Sequence, residues 1–179
     1  MKLTPHKIPD EFVQAIPRGF RIVKKRGYNF LLVESLFCPG GHNLVVDSVR
    51  IHGEASIKLK IGVGGEAGFV FIDAFWGSHA KLFSFIPQGS GSKALSVEAS
   101  CPYCDASMME HCPCAQKGCA SDRSIVLMLP GGKNKIHVCA KLGCPGHVLE
   151  ISDMPHELVR SVNAINYFGA GPDNLFGGI

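Results

Sequence analysis

Between Ser56 and Ala74 the chain alternates. Ile57, Leu59 and Ile61 are separated by Lys58 and Lys60, and after Gly64-Gly65 the positions Val70, Ile72 and Ala74 resume the same period of two. Successive side chains on a strand point to opposite faces, so the pattern predicts two half-buried strands joined by a glycine turn. The paired glycines permit the positive φ that such a turn requires. The signature returns further along as Ser124, Ile125, Leu127 and Leu129, then Gly131-Gly132, then Ile136, Val138 and Ala140. A similar lead-in precedes each hairpin, Val33-Glu34 with Cys38-Pro39 in one case and Val97-Glu98 with Cys101-Pro102 in the other. We read the chain as one unit written twice. Cysteine to serine spans 18 residues in the first unit and 23 in the second, and the extra residues fall where His111, Cys112, Cys114 and Cys119 sit.

Outside the units, Ile8 to Ile16 reads as a short helix, with Pro9 near its start and Pro17 after it. Strands around Phe20–Val23 and Asn29–Leu36 follow. Gln88-Gly-Ser-Gly-Ser-Lys93 has no apolar content and reads as a linker. After Pro155, the spacing of Leu158, Val159, Val162 and Ile165 predicts an amphipathic helix, and the tail FGAGPDNLFGGI is too rich in glycine to continue it. The expected fold is therefore mainly β (α+β): two related β-hairpin lobes, a short N-terminal helix and a C-terminal helix. The expected divisions are an N-terminal segment over 1–30, a first β-lobe over 31–88, a second, cysteine-rich lobe over 93–152, and the C-terminal helix and tail over 153–179. Phe69, Phe71, Phe75 and Trp76 are the expected core of the first lobe.

Size makes metal staples plausible, because 179 residues divided between two lobes leave each with a limited core. No apolar run is long enough to span a bilayer and the N-terminus carries no apolar leader, so the expected location is the cytoplasm. Thiols stay reduced there, and clustered cysteines read as metal ligands or redox groups rather than as a disulfide framework. A formal charge of +3 with 18% charged residues describes a mildly basic chain. Nucleic acid is not an expected partner, since phosphate binding needs a broad basic face and the one dense run, Lys24-Lys25-Arg26, precedes a turn at Gly27.

Five of the eight cysteines lie between Cys101 and Cys119. Cys101-Pro-Tyr-Cys104 and Cys144-Pro-Gly-His147 each offer two ligands from one tight turn, and together they make a four-ligand tetrahedral set for zinc. With a β-hairpin between two such knuckles, residues 97–152 resemble the zinc-ribbon group of folds. The resemblance implies an architecture and a structural metal, not an activity. The chain departs from the simplest ribbon in its histidine ligand and in the insertion between the knuckles. Cys139 is an alternative fourth ligand to His147, or a buried small hydrophobe. Cys112, Cys114 and Cys119, with His111, form a candidate second zinc site, or else a redox-active loop. Cys38-Pro-Gly-Gly-His42 repeats the look of a knuckle, with His52 and His79 as conceivable partners. Two zinc ions per chain are the central expectation. An iron–sulfur cluster is the alternative, although the spacing matches neither common cluster pattern.

The sequence lacks an H-E-x-x-H helix, a G-x-S-x-G elbow and a phosphate loop ending in Lys-Ser/Thr. Glu110 beside His111 could polarise a zinc-bound water, but the deaminase pattern is absent. The favoured reading is a noncatalytic, zinc-stabilised interaction module that engages a protein partner or a second copy of itself. The runner-up is a redox or metal-handling protein using the loop 101–119.

Overall fold

The computed structural model describes residues 7–86, 96–113, 121–142, 144 and 146–166. The predicted N-terminal helix is present but shorter: α1 spans Asp10–Gln14 behind Pro9 and buries Phe12. Strands β1 (Phe20–Lys25) and β2 (Tyr28–Val33) pair from Phe20↔Val33 to Lys25↔Tyr28. Arg26 and Gly27 make the turn, both at positive φ, so the basic run decorates a hairpin end.

The alternation around Ile57 builds the first large sheet. Its strands are β3 (Val45–Ile51), β4 (Glu54–Val63), β5 (Glu66–Asp73) and β6 (Lys81–Phe83), paired antiparallel in that order. Gly64 and Gly65 turn β4 into β5 at φ 58° and 89°. After β7 (Glu98–Ser100), the second sheet runs β8 (Met109–His111), β9 (Arg123–Met128), β10 (Lys135–Cys139) and β11 (His147–Glu150), again antiparallel in chain order. The fold is thus mainly β, with antiparallel hairpins and two short helices, as the sequence pattern requires.

The two sheets correspond bond by bond. Ser56↔Asp73, Ile57↔Ile72 and Leu59↔Val70 in the first match Ser124↔Cys139, Ile125↔Val138 and Leu127↔Ile136 in the second. Lys58 N–H donates to Leu44 O at 2.8 Å, and Val126 N–H to Met108 O at 2.7 Å. Val33 N–H donates to Ala74 O, and Val97 N–H to Ala140 O, both at 2.8 Å.

The lead-ins do something that local pattern does not predict: each crosses to the other sheet. Phe37 and Met128 exchange two backbone hydrogen bonds, at 2.8 and 2.9 Å, which ties the first lead-in to β9. Reciprocally, β7 of the second lead-in pairs with the far end of β4 through Lys60↔Ser100 and Ile61↔Ala99. One continuous core results, running from Phe12 and Phe75 through Leu59 to Leu127 and Val162. Phe75 and Trp76 belong to it. Phe69 and Phe71 do not, since they alternate with buried Val70 and Ile72 and take the other face, where the Lys58 ammonium lies 4.3 Å over the Phe69 ring.

The expected C-terminal helix is α2 (His156–Asn163), opened by Pro155. It docks through Trp76, whose Nε1–H donates to Val162 O at 2.9 Å, and through Asn163. The Asn163 amide accepts from Leu149 N–H at 2.7 Å and donates to Leu149 O at 3.2 Å, so one side chain satisfies both backbone groups of a β11 residue. The linker at 88–93 and the glycine-rich tail from Phe168 lie outside the described residues. Among those described, no helix is long and apolar enough to cross a membrane.

Candidate metal centre

Each crossing lead-in ends in a cysteine. Phe37 is followed by Cys38 and Ser100 by Cys101, so the reciprocal pairing delivers both knuckles to one place. The Cys38 turn is closed by Cys38 N–H to His42 O at 3.1 Å and by Gly41 N–H to Cys38 O at 2.9 Å, with Gly41 at φ 85°. The Cys101 turn is closed by Cys101 N–H to Ala106 O at 2.9 Å and by Asp105 N–H to Cys101 O at 3.0 Å, with Asp105 at φ 57°.

Four ligand atoms converge there. The thiols of Cys38, Cys101 and Cys104 and a ring nitrogen of His42 all lie within 4.8 Å of one another. Cys38 Sγ is 3.5 Å from His42 Nδ1 and 3.9 Å from Cys104 Sγ, and Cys101 Sγ is 4.0 Å from His42 Nδ1. A tetrahedral zinc with Zn–S of about 2.3 Å and Zn–N of about 2.0–2.1 Å needs edges of about 3.8 Å between sulfurs and about 3.6 Å from sulfur to nitrogen. The donor set and its spacing therefore fit a single metal ion. Gly40 fits it too. Its φ is not in the left-handed region, so it is the missing side chain that counts: a Cβ there would stand 3.2 Å from Cys104 Sγ, 3.5 Å from Cys38 Sγ and 3.6 Å from His42 Nδ1.

Cys38 and Cys101 are buried, whereas His42 and Cys104 are exposed, so the centre sits at the surface with two ligands rooted in the core. Backbone N–H groups of His42 and Tyr103 point at the sulfurs of Cys38 and Cys101, each at 3.4 Å. Such donors stabilise thiolates. Burial alone would push the Cys38 thiol up, but the His42 backbone and ring, the Cys101 thiol and the Gly40 N–H outweigh it and bring Cys38 down to about 6. Burial pushes Cys101 up, with Cys38 and Cys104 adding to the rise and two backbone N–H groups opposing it. Cys38 is thus the first of the pair to ionise.

The structure joins Cys101 and Cys104 to Cys38 and His42, where the sequence reading set them with Cys144 and His147. Local spacing shows which turns can hold a metal, and it is the crossing lead-ins that decide which turns meet. His147 is turned elsewhere: its Nε2 lies 3.0 Å from Ile165 O, and its ring packs on Trp76 and His79 at 4.7 and 5.0 Å. The other candidates are dispersed. His52 Nδ1 meets Asp73 Oδ2 at 2.6 Å and His79 Nε2 meets Asn166 Oδ1 at 3.1 Å. His111 ends β8 opposite Arg123, and Cys112 N–H donates to Asp122 O at 2.8 Å. Cys139 is buried at the end of β10, and Cys144 Sγ accepts Gly146 N–H at 3.4 Å. Cys114 and Cys119 lie outside the described residues.

Sequence reasoning missed Gly40 as part of the cradle, and it missed the buried polar groups Asp73 and Ser78 and the half-buried Lys81. Burial pushes the Lys81 ammonium below its ordinary range, against the pull of Cys144 and Cys139. Asp73 and Ser78 hold, in the first sheet, the positions that Cys139 and Cys144 hold in the second. Comparison of the chain with protein families, curated proteins and solved structures finds no match.

Proposed function

We propose that the chain is a zinc-stabilised, noncatalytic interaction module, built from a duplicated β unit and clamped by one metal ion bound between the copies. The carrying observation is the convergence of Cys38, His42, Cys101 and Cys104. Three thiols and an imidazole favour zinc among the common divalent ions. Four protein ligands leave no open position for water or substrate, which is the mark of a structural rather than a catalytic zinc. Matching strand order and matching hydrogen bonds support the duplication. Tyr103, half exposed on the knuckle, and the exposed Leu82 and Ile86 provide apolar surface for a protein partner or a second copy.

Elemental analysis of protein purified without added metal tests the reading, together with chelator titration followed by circular dichroism. Zinc that is lost in Cys38→Ser, with unfolding on chelation, is the expected result. Iron with visible charge-transfer absorbance, or a fold indifferent to chelator, would overturn it. Pull-down and sedimentation of the wild type against Leu82→Ser/Ile86→Ser test the interaction role, which predicts loss of partner or self-association in the double variant.

A further inference from the structure

Three thiols crowd one point near the surface, and they are not equally placed. Cys38 and Cys101 are 2% and 0% exposed, rooted in the core, whereas Cys104 is open to solvent. An oxidant arriving from solvent therefore meets Cys104 first. Its sulfur is already in contact with a second one, since Cys38 Sγ stands 3.9 Å away. An accessible thiol with another thiol poised behind it is the arrangement that oxidation by a hydroperoxide requires, one sulfur to be attacked and one to resolve.

The two sulfurs also come from different parts of the chain. Cys38 ends the lead-in that crosses to β9, and Cys104 lies on the knuckle that follows the lead-in crossing to β4, 66 residues further on. A bond between them would join the same two lead-ins that the metal centre joins.

We propose that this centre is also an oxidation site for hydroperoxides, in which Cys104 is attacked first and Cys38 resolves it as a Cys38–Cys104 disulfide. Cys104 Sγ attacks one peroxide oxygen, the O–O bond breaks, and hydroxide (or the alkoxide of an organic hydroperoxide) leaves. Cys38 Sγ then attacks Cys104 Sγ, the S–O bond of the sulfenic acid breaks, and a second hydroxide leaves. The two thiolates lose two electrons in all and the peroxide gains them. The sulfurs close from 3.9 Å to about 2.0 Å, a shift taken up at the exposed knuckle. The consequence for metal rests on the zinc reading of the same four residues. With two of its four ligands consumed, the centre is left with Cys101 and His42 and releases its ion. The lead-ins stay tied, now covalently.

The test treats the full chain, purified in reductant and then freed of it under nitrogen, with hydrogen peroxide while a chromophoric chelator reports free zinc. Release of one equivalent is expected, together with a Cys38–Cys104 cross-link in peptide fragmentation spectra. Dithiothreitol with added zinc should restore the starting state. Cys104→Ser should lose the cross-link and the rapid release. Should that variant bind no zinc, the wild type still reads the order of events: dimedone, which traps sulfenic acids, is expected to label Cys104 and not Cys38. Zinc that stays bound under peroxide, or that leaves with a Cys101–Cys104 bond and no cross-link to Cys38, would overturn this inference and leave the zinc reading standing. Dimedone on Cys38 alone would overturn the assignment of the attacked sulfur. A wild type without zinc at these residues would overturn the zinc reading instead, and the Cys38–Cys104 cross-link would then decide the oxidation site by itself.

Discussion

Gly40 has no chemistry of its own, yet it stands against three of the four ligand atoms, Cys104 Sγ, Cys38 Sγ and His42 Nδ1. In Gly40→Ala the new methyl meets Cys104 Sγ at 3.2 Å, and the exposed knuckle must yield. The expected result is a zinc affinity weaker by about 10- to 100-fold, the usual effect of disturbing the support of a ligand, with the fold kept when zinc is in excess. Competition with a chromophoric chelator measures it. His79 makes a different kind of statement. Burial, with the neighbouring His147 and Lys81, holds its imidazole down to about 3, while the Asn166 side chain opposes the shift. Between pH 6.5 and about 3 the unfolded chain binds a proton that the native chain refuses, so stability is complete above 6.5 and falls as the solution is acidified. Against His79→Gln, the wild type should lose up to about 1.4 kcal/mol more per pH unit on going below 6.5, read from denaturant midpoints at matched zinc occupancy. At this scale the sequence was informative about which turns could offer metal ligands, because Cys-Pro-x turns have a recognisable chemistry. It was silent about Gly40, whose importance comes from atoms more than sixty residues away.

Elements built from near neighbours were legible, and elements built from distant ones were not. The strands around Ile57 and Ile125, their glycine turns and α2 all follow from periods of two and 3.6 and from the residues that interrupt them. The crossing of Phe37 to β9 and of β7 to β4 has no such signature, since short segments of a few residues pair by whatever edge the assembled sheets leave open. This is why local spacing set Cys101 and Cys104 with Cys144 and His147, whereas the crossed lead-ins bring them to Cys38 and His42. The docking of α2 has a sharper local cause. Asn163→Ala strips both backbone groups of Leu149 of their partner at once, and the expected cost is about 1–3 kcal/mol. Limited proteolysis should then release α2 sooner than in the wild type, with the sheets still intact. Equal cleavage of the two proteins would show that Trp76 and the apolar contacts of Val162 and Ile165 carry the dock without Asn163.

For the whole molecule, the metal proposed at Cys38, His42, Cys101 and Cys104 would make the stabilities of the two sheets inseparable. Cys38→Ser and Cys101→Ser are therefore expected to lower the melting temperature by similar amounts, although one residue lies on each lead-in. Hydrogen exchange after either change should open amides of β4 and β9 together. Protection lost from the second sheet alone would show that the copies fold separately. The reciprocal lead-ins also bear on how the chain is made. A ribosome releases the first copy with one side of β4 bare along Lys60–Gly62 and with only Cys38 and His42 of a coordination shell. Both vacancies are filled by the same short stretch, Glu98 through Cys104, which pairs with β4 and then completes the Cys/His cluster. Synthesis of the second half is thus the event that latches the first, and a chain cut within 87–95 should behave as two halves that rejoin through the crossed lead-ins and the shared core, more tightly with zinc than without it.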